Sequence, residues 1–372
     1  MNETQRTTIG LLFGGRSAEH DVSKLSAANV FRALDPERYD IVRIGIGRDG
    51  RWRLSDGADE PGPEGLEIRG DGPHVALVPG GGGALFPVGG GSDALPVLDV
   101  VFPVLHGPDG EDGTVQGLLE LAGVAYVGSG TLGSAVAMDK DVAKRLMRDA
   151  GLPVVPSIVM TARSRTAYED AVGALKTRDL FVKPANMGSS VGVSRAISAD
   201  TFETACNLAF RYDTKVLVEA SVAGAREIEC SVLEDAEGQI TASPLGEIVP
   251  ISEDGFYSYD AKYLDPDGAL LRIPAELTPE LTERVRGLAI DAFRALACEG
   301  MARVDFLMHP KREDELFVNE LNTLPGFTAI SMYPKLWEAG DLTQRALMDT
   351  LVGHALARHE RRSALETARD PS

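Results

Sequence analysis

Two short apolar runs constrain this chain more than any other feature. Residues 8–13 read TIGLLF and residues 97–104 read VLDVVFPV. Strands that are apolar on both faces belong in a sheet covered on both sides, and such sheets are parallel and interleaved with helices. Val22, Leu25, Ala28 and Val30 keep helical spacing over 21–34 and predict the first covering helix. A strand at 40–46, a helix at 114–121 and a strand at 124–127 continue the alternation. The expected fold class is therefore α/β at the N-terminus, built on a parallel sheet.

The pattern changes along the chain. Residues 55–94 hold 12 Gly and 5 Pro in 40 positions, with seven acids against one arginine. That composition predicts hairpins and loops that bury little surface, inserted in the first unit. From Thr131 helical spacing continues to Ala150 and predicts one long helix. Strands at 154–160, 180–183 and 191–196 then alternate with helices at 168–175 and 200–210, which predicts an α+β unit. The strand KVLVEA at 215–220 leads to EIECSVL at 227–233, which opens a third unit. Thr278-Pro279-Glu280 is a helix start: Thr caps, Pro takes the first position and Glu favours the dipole. Strands at 301–308 and 316–319 follow, then a helix from Tyr333. With 372 residues the chain divides into an N-terminal unit 1–135, a central unit 136–222, a C-terminal unit 223–360 and a frayed tail 361–372.

Charge narrows the partners. Lys and Arg total 37 against 56 Asp and Glu, a net charge of −19. Such an excess argues against nucleic-acid polymers and anionic membrane surfaces as partners. No stretch approaches the ~20 apolar residues that span a bilayer, and the first apolar run is too short for a secretory signal. Cys206, Cys230 and Cys298 are far apart and form no CxxC pair, which fits a reducing compartment. A cytoplasmic protein is expected.

Three constellations could meet phosphate or metal. Gly128-Ser-Gly130-Thr-Leu-Gly133 matches the dinucleotide pattern between a strand and a helix. It sits at the end of its unit, and the acid expected ~20 residues on is missing. Gly45-Ile-Gly47-Arg-Asp-Gly50 matches too, but runs into RWRL and reads as a hairpin turn at Asp49-Gly50. Lys183 ends the strand DLFVKP, and Asn186-Met-Gly188-Ser189-Ser190-Val-Gly192 follows. Such a loop can turn several N–H groups and hydroxyls toward phosphate, with a lysine beside them; a plain hairpin is the alternative. Finally Asp305, in ARVDFLM, and Glu320 with Asn322, two apart on a strand, offer the hard oxygen ligands that Mg²⁺ takes.

Joined in order, these segments resemble the ATP-grasp enzymes, and among them the D-alanine–D-alanine ligases. The resemblance runs from Gly14 to about Met332. GGRSAEHDVS is similar to the family's GG-x-S-x-E-x-x-VS segment, and HGPDGEDGTVQG at 106–117 to its HGxxGEDGxxQG segment. Met138-Asp-Lys140, Lys183-Pro with the 188–192 loop, and Asn319-Glu320-Leu-Asn322-Thr-Leu-Pro-Gly326 complete it. The resemblance implies a three-domain ATP-grasp architecture and a homodimer.

It also implies the chemistry. Two D-alanine molecules would be joined through a D-alanyl phosphate at the expense of ATP, for peptidoglycan precursors. Lys140, Lys183, Ser190 and Lys262 would hold the phosphates of ATP, and Glu219 and Glu227 its adenine or ribose. Asp305, Glu320 and Asn322 would bind two Mg²⁺ or Mn²⁺ ions. Glu19 would take the ammonium of the first D-alanine, in a chain with Ser189 and Tyr263. Arg303 and the N–H of Gly326 would face the oxyanion, Ser331 and Met332 would hold the second carboxylate, and His106 would lie near the substrates. The stretch 250–270, rich in tyrosine, would be a lid. Its Lys262-Tyr263 pair favours an amine over D-lactate as nucleophile. A D-alanine–D-lactate ligase, an NAD-dependent oxidoreductase built on Gly128–Gly133 and a non-catalytic nucleotide-binding scaffold are the alternatives.

Overall fold

The computed structural model describes residues 6–55, 60–89, 95–250 and 269–366. Strand β1 (Thr7–Gly14) pairs in parallel with β2 (Tyr39–Ile46) on one side and β6 (Val100–Val104) on the other. β7 (Ala125–Tyr126) extends β6 in parallel, and β3 (Trp52–Leu54) adds an antiparallel edge, giving the order β3-β2-β1-β6-β7. Both faces are covered, as the apolar runs require. Ile9, Leu11 and Phe13 pack with Ala27 and Val30 of α1 (His20–Ala33). Leu12 and Ile44 pack on the opposite face with Val115 and Leu119 of α2 (Thr114–Ala122). The turn at Asp49-Gly50 joins β2 to β3, with Gly50 in the left-handed region at φ 80°.

The Gly/Pro-rich insert keeps the expected hairpin and departs from expectation only in how much it buries. It forms a hairpin of β4 (Val75–Leu77) and β5 (Leu85–Pro87), and buries Leu66, Val75, Leu77 and Leu85 in the cores of the first unit. Its glycines let backbone lie directly on backbone. A Cβ at Gly72 would fall 2.1 Å from the Leu54 carbonyl oxygen, and one at Gly83 2.0 Å from that of Leu98. The composition that looked unable to pack is what permits the close approach.

The long helix expected from Thr131 to Ala150 is two helices, α3 (Thr131–Met138) and α4 (Lys140–Asp149). Asp139 separates them with extended backbone, and its side chain accepts from the N–H groups of Asp141 and Val142. Apolar periodicity does not register a short acidic side chain that caps a new helix from within.

Beyond α4 lies an antiparallel sheet of order β10-β9-β11-β8, made by β8 (Ser157–Thr161), β9 (Leu180–Pro184), β10 (Ser194–Ala196) and β11 (Lys215–Ala220). Helices α5 (Tyr168–Leu175) and α6 (Ala199–Ala209) cover it around Val182 and Val216. β10 is shorter than the strand expected at 191–196, because the preceding residues turn.

A second antiparallel sheet has the order β14-β13-β12-β15-β16. Its strands are β12 (Arg226–Glu234), β13 (Ile240–Pro250), β14 (Ala269–Arg272), β15 (Met301–His309) and β16 (Arg312–Asn322). Helix α7 (Pro279–Ala295) lays Val285, Ala289 and Phe293 on Ile228, Val304 and Val318. It starts as expected, with Thr278 accepting from the Leu281 N–H at 3.3 Å.

Two further helices follow, α8 (Met332–Ala339) and α9 (Gln344–Ser363). α9 returns to the first sheet, where Leu347, Leu351 and Val352 join the core of Ile9 and Leu11. It also runs to Ser363, inside the stretch expected to be a frayed tail. All three cysteines are buried thiols. Among the described residues no helix is long and apolar enough to cross a membrane.

Candidate active site

Strand alternation builds one wall. On β15 the side chains of Val304, Phe306 and Met308 enter the core, so Arg303 and Asp305 face outward. Registered opposite Asp305 are Glu229 on β12 and Glu320 on β16, and opposite Arg303 is Asn322. Three carboxylates, an amide and a guanidinium thus share one sheet face. The Arg303 Nε and Nη2 each donate to an Asp305 oxygen at 2.7 Å, and Nε lies 3.1 Å from Glu229 Oε2.

The helix break at Asp139 starts α4 with Lys140. Its ammonium donates to the Met187 carbonyl oxygen at 2.7 Å and lies 3.3 Å from Glu320 Oε2, so it links the 186–192 loop to the sheet. In that loop Ser189 and Ser190 hold φ of 53° and 59°. Two consecutive left-handed non-glycine residues are strained, and strain of this kind gathers at functional sites. Ser189 Oγ donates to Glu19 Oε1 at 2.5 Å across a gap of 170 residues. Glu19 is itself buried.

A second charged cluster lies beneath. Glu219 on β11 is buried between Lys183, 2.7 Å away, and Lys144, 3.0 Å away. Burial pushes the Glu219 carboxyl up, but the charges of Lys144 and then Lys183 outweigh it, and the net shift is down. Burial drives the Lys144 ammonium down, partly offset by Glu219.

His106 and Glu111, both from the HGPDGEDG stretch, are buried on the opposite wall. Burial lowers the His106 pKa and keeps its ring neutral; the Ser26 hydroxyl lies 3.2 Å from Nε2. Burial, and then the charge of Glu19, push the Glu111 carboxyl up to about 8, and its Oε2 accepts from the Gly107 N–H at 2.6 Å. On the third side Gly326 faces Ser331, whose Oγ accepts from the Thr328 N–H at 3.0 Å. A Cβ at Gly326 would lie 2.7 Å from that Oγ.

One cleft is lined by Glu19, His106, Lys140, Ser189, Arg303 and Glu320, and also by Asn322, Gly326, Ser331 and Met332. These sequence candidates come from separate stretches of the chain. Lys183 and Glu219 are not on this lining but pair behind it, and Asp305 is covered by Arg303. Glu227 sits opposite Leu307, two positions along β12 from Glu229 and on the same face. Lys262, Tyr263 and residues 251–268 of the stretch expected to be a lid lie outside the described residues; its two ends fall on β13 and β14. Glu111, Lys144 and Glu229 were not singled out in the sequence. The signals existed: Glu111 is inside the HGPDGEDG run, Lys144 is one helical turn from Lys140, and Glu229 interrupts an apolar strand two residues after Glu227.

Among the described residues no three histidine, cysteine or carboxylate side chains gather as a metal cage. Asp305 and Glu320 face each other in register, with Asn322 on the same face. Two carboxylates and an amide oxygen are a donor set that fits a hard divalent cation whose remaining positions go to water and phosphate.

The dinucleotide reading fails on packing. The Gly128 carbonyl oxygen accepts from Arg358 Nη1 at 2.6 Å, a Cβ at Gly133 would fall 2.4 Å from the Ala297 carbonyl oxygen, and Glu299 Oε2 stands beside Gly130. The turn is covered by the protein's own chain and has a carboxylate, which would repel a phosphate, beside it.

Comparison with known families decides the assignment. The profile described as D-ala D-ala ligase N-terminus matches residues 8–129, and the one described as D-ala D-ala ligase C-terminus matches residues 146–353. The chain belongs to the D-alanine–D-alanine ligase family. D-alanine--D-alanine ligase B of Bradyrhizobium diazoefficiens is 62% identical over 98% of this chain and 96% of its own. The ligase of a Methylobacterium strain is 61% identical over 96% of this chain and 93% of its own. Among solved structures, the D-alanine-D-alanine ligase of Coxiella burnetii superposes with a TM-score of 0.83 at 36% identity, covering 97% of both chains. A D-Ala:D-Ser ligase of Enterococcus faecalis superposes with a TM-score of 0.81 at 34% identity, covering 94% of this chain and 100% of its own. The fold is that of the ATP-grasp ligases, as the resemblance implied.

Proposed function

We infer that this ligase joins two D-alanine molecules, with ATP converted to ADP and phosphate, and so supplies D-alanyl-D-alanine for peptidoglycan precursors. One observation carries the reading: an acid suited to an ammonium, Glu19, a cation suited to phosphate, Lys140, and one suited to an oxyanion, Arg303, converge on one cleft from three separate stretches.

In the first step a carboxylate oxygen of D-alanine attacks the γ-phosphorus of ATP, and the bond to ADP breaks. Lys140 and Lys183 hold the phosphates, with the N–H groups of the strained Ser189-Ser190 loop beside them. Glu219 and Glu227 serve the adenine and ribose end. Glu19 binds the ammonium of the first D-alanine, and Ser189 holds that carboxylate in place. In the second step the amine of the other D-alanine attacks the carbonyl of the acyl phosphate. A tetrahedral intermediate forms and expels phosphate, and the amine loses its proton. Arg303 and the Gly326 N–H face the oxyanion, while Ser331 and Met332 hold the second carboxylate. Neutral His106 lines the same cleft. Asp305, Glu320 and Asn322 would hold two Mg²⁺ or Mn²⁺ ions, which supply neutralising charge for the transferring phosphoryl group.

The sheets support a division into units 1–135, 136–222 and 223–360, with α9 returning to the first. A cytoplasmic homodimer completes the reading. The test is ADP release with ATP, Mg²⁺ and D-alanine, with the product mass measured and with L-alanine and D-lactate as controls. D-alanyl-D-alanine is the expected product. No ADP release with D-alanine, or a product formed mainly with D-lactate in an equimolar mixture at neutral pH, would overturn the assignment.

A further inference from the structure

Arg303 touches two carboxylates that differ in their other duties. Asp305 takes two of its donors at 2.7 Å, and Glu229 Oε2 lies 3.1 Å from Nε. Asp305 is also read as a ligand for a divalent ion, together with Glu320 opposite it. A guanidinium on both Asp305 oxygens and a divalent cation on the same carboxylate would place like charges within about 4 Å in a partly desolvated site. The two occupancies compete. Glu229 stands on the far side of Arg303 from β16, opposite Asp305 in register and opposite Gly246 on its other flank. It is 5% exposed, and a carboxylate buried to that degree is retained when a cation faces it. None of the roles assigned above uses it.

We propose that Glu229 is the positioning residue for Arg303: it keeps the guanidinium on the cleft wall when a divalent ion takes Asp305. The proposal rests on the reading of Asp305 as a metal ligand. The step is an exchange of ion pairs with no bond made or broken. Asp305 passes from guanidinium to cation, and Arg303 stays on Glu229, aimed at the reacting carbonyl. Glu229 lines the cleft beside Arg303 and is the more deeply buried of its two carboxylate partners, with side chains 7% exposed for Glu229 and 16% for Asp305, so it holds the guanidinium at the cleft wall.

Five full-length variants test it: Glu229→Gln, Glu229→Asp, Arg303→Ala, Asp305→Asn and the double variant E229Q/R303A. Glu229→Gln is expected to lower kcat about 100-fold, the scale of one lost oxyanion donor, with KM for ATP within about threefold. Glu229→Asp should recover part of the loss. The double variant should be no slower than Arg303→Ala, because residues that act as one unit are not additive. Binding of Mn²⁺ alone, read by electron paramagnetic resonance, should change less than about threefold in Glu229→Gln and at least about tenfold in Asp305→Asn. A kcat for Glu229→Gln near the native value would overturn the proposal. So would a double variant slowed by the product of both effects, which would give Glu229 a separate task. A tenfold loss of Mn²⁺ in Glu229→Gln would make it a metal ligand instead. Native Mn²⁺ binding in Asp305→Asn would defeat the metal reading itself, a result separate from the kcat series.

Discussion

Single side chains here act through charge in places with little water. Arg303 pairs with two of the three carboxylates of its sheet face, Asp305 and Glu229, and its removal should cost about 10²-fold in kcat at near-constant KM for ATP, measured by ADP release. Glu111 makes a different prediction. Its carboxyl is pushed up to about 8, mainly by burial and then by Glu19, so the folded protein holds a proton that the unfolded chain releases near pH ~4.3. That difference favours folding fully below the unfolded value and is lost as pH rises through about 8. Buried His106 has the opposite sense: its lowered pKa costs stability as pH falls below the usual ~6.5. Thermal stability should therefore fall on both sides of a maximum. Glu111→Gln should flatten the alkaline limb, since Gln keeps an acceptor for the Gly107 N–H; coincident Tm–pH curves would contradict this. Glu111 was missed in the sequence although it lies in a motif already singled out. Sequence shows that an acid is present but not that it is buried, and burial is what makes it unusual.

Elements were legible where a period persisted and obscure where one side chain broke it. The α3–α4 junction is the clearest case. Asp139 caps α4 and receives Lys215 Nζ at 2.7 Å and 2.5 Å on its two oxygens. It also sets the place of Lys140, whose N–H donates to the Ala185 carbonyl oxygen at 3.0 Å. Asp139→Ala should cost about 1 kcal/mol through the cap alone, and more through the loss of one of the two carboxylates that hold Lys215, which keeps Asp141 at 3.2 Å. It should also raise KM for ATP several-fold, by releasing the turn that carries Lys140. Asn caps about as well as Asp, so Asp139→Asn should sit between Ala and native in Tm; a Tm equal to that of Ala would remove the cap from the account. The insert 55–94 differs from expectation in burial. Its glycines do mark turns, but at Gly72 and Gly83 those turns lie directly on the backbone of Leu54 and Leu98.

At the scale of the molecule, the last helix binds the end of the chain to its beginning. Arg358 on α9 is 3% exposed and donates to the Tyr126 and Gly128 carbonyl oxygens at 2.8 Å and 2.6 Å. Its guanidinium also stands 4.4 Å from the centre of the Tyr126 ring. Arg358→Ala would leave two buried carbonyls without their donor, at about 1–3 kcal/mol each. A large fall in Tm is expected, with kcat per folded molecule near native because no reacting group is touched. Native Tm would show that α9 is dispensable to the first sheet. The net charge of −19 takes on meaning at this scale too. Acids in and behind the cleft are met by cations from distant stretches, Lys140 on Glu320 at the lining and Lys183 on Glu219 behind it.

The sequence by itself determined the α/β start, the two later α+β units, the family and ten of the residues that line the cleft. Each of these is written in a short-range signal: an apolar period, a cap, or a motif in a fixed order. Only the tertiary structure decided who faces whom. That Arg303 lies on Asp305 and Glu229, that Lys144 and Lys183 share Glu219, and that the Gly128–Gly133 turn is filled by the protein's own backbone all depend on strand register and on contacts between distant segments. Burial and register are properties of the packed chain, and local spacing does not encode them.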